Sequence, residues 1–234
     1  MSGTLYGIGV GPGDPELLTL KAVRLIQHCP VLAYPAPEDG DALARRIAAP
    51  HVPPGKIEIP IRLPIEIARH PAQDAYDAGA ELLATQLSQG FDVALLCLGD
   101  PLFYGSYMYL HARLAERYET RIVPGVTSFA ASAALVRQAL SAREDSVAVV
   151  PATLGDAEIE RRIATHDSLV FLKLGRHFSR LRALLARLGL AQQALYIERA
   201  GLAGERHCAL LDAANETAPY FSLVLVHRRG NAWT

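Results

Sequence analysis

The stretch Leu5-Tyr6-Gly7-Ile8-Gly9-Val10-Gly11-Pro12-Gly13-Asp14-Pro15 decides how the chain is read. Leu5 to Val10 is a short apolar run, the pattern of a buried strand. The glycines at 7, 9, 11 and 13 allow unusual backbone angles and the close approach of another group. A dinucleotide-binding loop needs Gly-x-Gly-x-x-Gly. Counted from Gly7 the last position is Pro12, and counted from Gly9 it is Asp14, so both registers fail. Pro12 also lacks the N–H that would meet a pyrophosphate. The opening is a strand and a glycine loop, and nicotinamide oxidoreduction is disfavoured.

Working outward, short apolar runs alternate with helical patterns. Leu17, Leu18, Ala22, Leu25 and Ile26 predict a helix over 16–27. Residues 31–34 form a second strand that Pro35 stops, and 57–59 alternate like a third. A helix over 72–89, a near-continuous apolar strand over 93–98, a helix over 107–117 and a strand over 121–123 follow. The second half keeps this rhythm, with helices over 129–140, 157–165 and 178–188 and strands over 146–150, 169–174, 195–198 and 222–226. Such alternation predicts an α/β fold with a largely parallel sheet. The turn at Pro124-Gly125 is the candidate boundary between two domains.

Composition narrows the function classes. The chain has 234 residues, half of them apolar and a fifth charged, with a formal net charge of −1. That excludes a disordered chain and argues against nucleic acid as a partner, which calls for a basic stripe. No apolar run approaches the ~18 residues of a membrane-spanning helix, so no membrane is expected as a partner. No basic segment precedes an apolar one at the start, as it would in a signal peptide, and the expected location is the cytoplasm. Cys29, Cys97 and Cys208 are scattered, with neither CxxC nor zinc-ligand spacing, so neither a disulfide framework nor a metal is expected. Cys97, within Val-Ala-Leu-Leu-Cys, is read as a small core residue.

Gly-Asp-Pro occurs twice, at 13–15 and at 99–101, each time after an apolar strand. Aspartate is a favoured helix cap and proline a favoured first helical residue. That accounts for Asp14. For Asp100 two readings stand: a cap, or a carboxylate at the carboxyl end of a parallel strand, where open α/β sheets bind ligands. Thr127 or Ser128 can cap the next helix or face a ligand. Arg176, Arg180, Arg182 and Arg187 lie on one helical stretch and form either a solvated face or an anion site. For Arg176 the alternatives are a substrate carboxylate and a pairing with Glu198.

Taken in order, three motifs resemble one family. They are Gly9-Val10-Gly11-Pro12-Gly13-Asp14-Pro15-Glu16-Leu17-Leu18-Thr19, then Gly99-Asp100-Pro101-Leu102-Phe103-Tyr104-Gly105, then Pro124-Gly125-Val126-Thr127-Ser128. Together they resemble the S-adenosylmethionine-dependent tetrapyrrole methylases over about residues 5–229. Residues 100–110, with Lys173-Leu174-Gly175-Arg176-His177, are most similar to the precorrin-2 C20-methyltransferases of cobalamin synthesis. The resemblance implies two α/β domains, 1–120 on the substrate side with the Gly-Asp-Pro loop and 121–234 completing the cofactor site, with the active site in the cleft between them. It also implies a homodimer. Carried over by motif, S-adenosyl-L-methionine would contact Pro12, Leu98, Gly99, Asp100, Phe103, Thr127, Ser128, Lys173 and Ala200. The tetrapyrrole, precorrin-2, would contact Tyr104 and Arg176. Leu98 departs from the subgroup, which often has an acidic residue there, although a backbone contact survives the change.

The implied reaction moves a methyl group from a sulfonium, whose charge is lost in the step, to an electron-rich meso carbon of the macrocycle. It requires neither an oxyanion hole nor a metal. The protein's contribution is in-line positioning of two reactants. The base that removes the displaced proton is left open among water, a ring nitrogen, Tyr104 and Asp100.

Overall fold

A computed structural model of the chain describes residues 1–38, 40–63, 69–214 and 216–230. It contains two compact units, Met1–Thr127 and Ser128–Thr234. The division falls after the strand Thr120–Val123, which hydrogen-bonds to the strand Leu5–Gly9 and so belongs with the first half.

The first unit is built on five strands: β1 Leu5–Gly9, β2 Val31–Pro37, β3 Ile57–Leu63, β4 Val93–Cys97 and β5 Thr120–Val123. They lie in the order β3-β2-β4-β1-β5, and every pairing is parallel. Helices cover both faces. On one, α3 Arg69–Ser88 and α4 Tyr107–Leu114 bury Leu83, Leu87, Tyr107 and Leu110. On the other, α1 Leu20–His28 and α2 Leu43–Ala48 bury Ile26 and Ile47. This is why all five residues of β4 are buried and why its sequence shows no alternation. Gly7, in the middle of β1, is required by packing, since a Cβ there would lie 2.5 Å from the Tyr107 ring.

Two sequence expectations shift locally. The helix expected over 16–27 is two pieces, a 3-10 turn Pro15–Leu17 capped by Asp14 and then α1, whose N-cap is the Thr19 hydroxyl accepting from the Ala22 N–H at 3.1 Å. Pro35 does not stop β2. The strand β4 pairs only Val31 to Ala33, so beyond that point β2 has one bonded flank and tolerates a missing N–H.

The second unit contains α5 Ser128–Leu135, β6 Val147–Pro151, α6 Asp156–Thr165, β7 Ser168–Leu172, α7 Phe178–Arg187, β8 Ala194–Glu198, β9 Arg206–Ala209 and β10 Ser222–His227. The sheet order is β6-β7-β10-β8-β9. Here the expected parallel sheet is corrected: β6 and β7 are parallel, and every other pairing is antiparallel. A chain that returns antiparallel needs no crossover helix, and none separates β8 from its antiparallel neighbour β9. The central strand β10 is buried throughout. α6 and α7 pack on one face of the sheet, and Phe129 and Ala133 of α5 on the other. Among the described residues no helix is long and apolar enough to cross a membrane.

Candidate active site

In the first unit the connection from β1 leads toward β2 on one side, and the connection from β4 leads toward β5 on the other. Loops that leave adjacent parallel strands in opposite directions open a crevice at their carboxyl ends, where such sheets bind ligands. The two loops there are the glycine loop after β1 and the Gly-Asp-Pro loop after β4. They are tied together backbone to backbone: the Gly99 N–H donates to the Gly11 carbonyl at 2.8 Å, and the Gly11 N–H to the Gly99 carbonyl at 3.3 Å.

The loop after β5 joins them through close contact. A Cβ on Gly9 would sit 2.5 Å from the Gly125 nitrogen, and one on Gly125 would sit 2.1 Å from the Gly99 carbonyl oxygen. Gly11 and Gly99 have φ of +76° and +66°, which side chains rarely adopt. The glycines of all three motifs thus create one site of backbone contact. The Asp100 carboxylate fastens it, with Oδ1 accepting from the Leu102 N–H at 2.9 Å and Oδ2 from the Gly125 N–H at 3.0 Å.

Among the expected site residues of this unit, Pro12 is buried, and Leu98, Gly99, Asp100, Phe103 and Thr127 are partly exposed. Tyr104 is half exposed, its ring edge-on to Phe103 at 5.0 Å, and its φ of +55° is strained for a tyrosine. Ser128 opens α5 and the second unit. Neither the Thr127 nor the Ser128 hydroxyl makes a hydrogen bond among the described residues, so the capping alternative is not realised by either.

In the second unit β7 and β8 are each antiparallel to β10 and therefore parallel to one another. Lys173 after β7 and Ala200 after β8 consequently lie at one edge of the sheet. Lys173 has φ +56° and Arg199, just before Ala200, φ +51°. Left-handed non-glycine residues tend to collect at functional sites. Sequence reading missed these backbone angles, because no residue type there announces them.

The basic helix sorts itself by contacts. Arg180 pairs with Asp156 and donates to the carbonyls of Ala152 at 2.5 Å and Leu154 at 2.8 Å. Arg182 donates to the Ala213 carbonyl and stacks over Phe178, and Arg187 meets Glu160 at 2.5 Å. Glu198, the rival partner for Arg176, is held by Arg206 at 2.5 and 2.7 Å and by the Tyr196 hydroxyl. Arg176 is exposed and makes no hydrogen bond or ion pair among the described residues. Burial, then the charges of Arg176 and Arg180, hold the adjacent His177 below the ordinary histidine range. Among the described residues no group of three or more His, Cys, Asp or Glu could hold a metal ion.

The family model of the Tetrapyrrole (Corrin/Porphyrin) Methylases matches residues 4–213. The chain belongs to the tetrapyrrole methylase family. It is 40% identical over 232 residues to a protein of Sinorhizobium sp. named precorrin-2 C(20)-methyltransferase, covering 96% of this chain and 95% of that protein. It is 44% identical over 232 residues to the Mycobacterium tuberculosis cobalamin biosynthesis protein CobIJ, covering 96% of this chain and 46% of that protein, so the chain spans about half of CobIJ. Among solved structures it resembles uroporphyrin-III C-methyl transferase from Thermus thermophilus complexed with S-adenyl homocysteine, at a TM-score of 0.68 and 27% identity, covering 96% of this chain and 92% of that one.

Proposed function

We propose that this methylase transfers the methyl group of S-adenosyl-L-methionine to C20 of precorrin-2, giving precorrin-3A on the route to the corrin ring. The observation that carries the reading is the end-to-end similarity to the Sinorhizobium protein of that name, at 40% identity over 95% of its length. The cofactor assignment draws on the Thermus structure, whose ligand is the demethylated product of the same cofactor.

The three glycine loops fit such a cofactor, because they present backbone at the switch point rather than side chains. In this reading Pro12, Leu98, Gly99, Asp100, Phe103, Thr127, Ser128, Lys173 and Ala200 bind S-adenosylmethionine, which supplies a methyl group on a sulfonium. Tyr104 and Arg176 bind the tetrapyrrole: Tyr104 offers an exposed ring to a flat macrocycle, and Arg176 a guanidinium fork to one of its carboxylates. The first unit contributes the substrate side and the second completes the cofactor site. The enzyme acts as a homodimer in the cytoplasm, without a metal.

The test is incubation with S-adenosylmethionine and precorrin-2, metal-free or cobalt-loaded, with product mass and methyl position read out. One added methyl at C20 supports the reading, and the preferred form fixes the metal state of the substrate. Methylation elsewhere, or of neither form, overturns it. Light scattering at micromolar concentration, with and without reductant, checks the dimer and its independence from disulfides.

A further inference from the structure

Beside the switch point, β2 and β3 rise above the carboxyl edge of the first sheet. β2 pairs with β4 up to Ala33↔Leu95 and then continues to Pro37, whereas β4 ends at Cys97. The projecting ends and α2 enclose a groove of about 340 Å³, whose lining includes Tyr34, Asp41, Arg45, Arg46, Pro60 and Arg62. Three arginines here are more than the fold uses. Arg45 is matched, gripping Glu58 with two bonds of 2.8 Å while the Tyr34 hydroxyl donates to the same carboxylate at 2.8 Å. Arg62 donates one Nη1 bond to the Pro37 carbonyl at 2.7 Å, a neutral acceptor, and forms no ion pair among the described residues. Arg46 is exposed, and its side chain makes no hydrogen bond or ion pair among the described residues. Against these two charges the lining sets a single carboxylate among the described residues, Asp41.

We propose that Arg46 and Arg62 form a carboxylate-binding subsite that takes an acetate or propionate arm of the tetrapyrrole, resting on the proposed function above. β2 neighbours β4 and β3 lies one strand further, so the groove stands roughly 5–10 Å to the side of the Gly-Asp-Pro loop. That is the scale on which the arms of a macrocycle surround its reacting carbon. Guanidinium forks suit carboxylates, and the Arg45–Glu58–Tyr34 network keeps the wall beside them rigid. The subsite fixes which edge of the ring faces the first sheet, and so which meso carbon is offered to the methyl donor. The other carboxylate in this reaction belongs to the methionine moiety of the cofactor, and the experiment separates the two.

The experiment compares wild type, Arg46→Gln, Arg62→Gln and, as a control for lost surface charge, Arg161→Gln, whose side chain pairs with Glu158 on α6. Three readouts are taken: fluorescence-monitored binding of uroporphyrin III and of its methyl ester, calorimetric titration with S-adenosylhomocysteine, and KM and kcat for precorrin-2. The subsite predicts that Arg46→Gln weakens uroporphyrin binding about tenfold and raises KM by a similar factor, with kcat and S-adenosylhomocysteine affinity unchanged. The methyl ester binds wild type and variant alike, and Arg161→Gln behaves as wild type. Arg62→Gln follows Arg46→Gln, with some added loss of thermal stability from the Pro37 contact.

If the wild type methylates precorrin-2 but Arg46→Gln matches it in KM and porphyrin binding, the subsite is wrong and the proposed function stands. If S-adenosylhomocysteine binding falls instead, the groove serves the cofactor and the proposal is overturned. If the wild type does not methylate precorrin-2 yet binds uroporphyrin in an Arg46-dependent way, the activity is wrong and the carboxylate subsite stands.

Discussion

Asp100 accepts the Gly125 N–H at 3.0 Å and the Leu102 N–H at 2.9 Å, so one carboxylate holds the loops after β4 and β5 in register. Of the two sequence readings of Asp100, the helix cap is corrected. Asp100 does not cap α4, whose N-cap is Ser106, and both of its oxygens are engaged within the first unit. Any cofactor contact comes on top of a structural duty.

Asp100→Ala should therefore lower both stability and cofactor affinity. Each lost N–H to carboxylate bond costs about 1.5–3 kcal/mol, which corresponds to at least tenfold in affinity if the loop positions the cofactor. Calorimetric titration with S-adenosylhomocysteine, run beside thermal unfolding, reads both. A lower melting temperature with an unchanged dissociation constant would leave Asp100 as a loop staple alone.

The glycine cluster makes a sharper demand. In Gly9→Ala the new methyl group meets the Gly125 nitrogen at 2.5 Å and the Gly99 carbonyl oxygen at 2.7 Å, both backbone atoms that cannot rotate away. A loss of about 3 kcal/mol or more is expected in urea unfolding. Gly155→Ala is the control: its Cβ meets nothing within 4 Å and its φ is ordinary, so it should stay within about 1 kcal/mol of wild type. Equal stability for Gly9→Ala and wild type would mean that the three loops do not pack as described.

The roles of the arginines divide by their contacts. Arg180→Gln strips partners from Asp156 and the carbonyls of Ala152 and Leu154, and should cost about 1–3 kcal/mol of stability. Arg176→Gln removes no hydrogen bond or ion pair among the described residues, so its melting temperature should match wild type. Its KM for the tetrapyrrole should rise a fewfold to about tenfold while cofactor affinity holds. Steady-state kinetics with each ligand varied in turn makes the comparison. Parallel losses for both ligands would remove Arg176 from the tetrapyrrole site.

Much of this arrangement was legible in residue order, and the failures have physical causes. The strand β4 and the three glycine motifs could be read because burial on both faces and tight backbone approach each restrict residue type. The direction of β10 could not, since an apolar run is the same whether its neighbour is parallel or antiparallel. The strand β9, Arg206-His207-Cys208-Ala209, escaped notice because it is a short edge strand pairing only with β8, with no apolar face to betray it. The split before α1 turned on the Thr19 cap, which competes with a proline start four residues earlier. Arg176, Arg180 and Arg182 look alike in sequence, and only their carbonyl and carboxylate partners tell them apart.

Acid stability supplies the last test. In the second unit the Asp145 carboxylate is nearly buried between Arg229, whose Nη2 lies at 2.7 Å, and His227, whose Nε2 lies at 3.2 Å, and it also accepts the Ala142 N–H at 3.0 Å. Asp167 is the other acidic neighbour, 3.8 Å from Arg229. The Arg229 bond, with the Ala142 N–H next, holds Asp145 down at about 2, below its ordinary 3.8. A carboxylate favoured in this way by the fold contributes its full stability above pH ~4 and loses it as pH falls toward ~2. Asp145→Asn should accordingly be less stable than wild type at pH 7, with the difference shrinking across that interval. Urea titrations at half-unit steps from pH 5 to about pH 2 measure it. A difference that stays constant down to pH ~2 would show that the charge of Asp145, as distinct from its shape, contributes nothing to the fold.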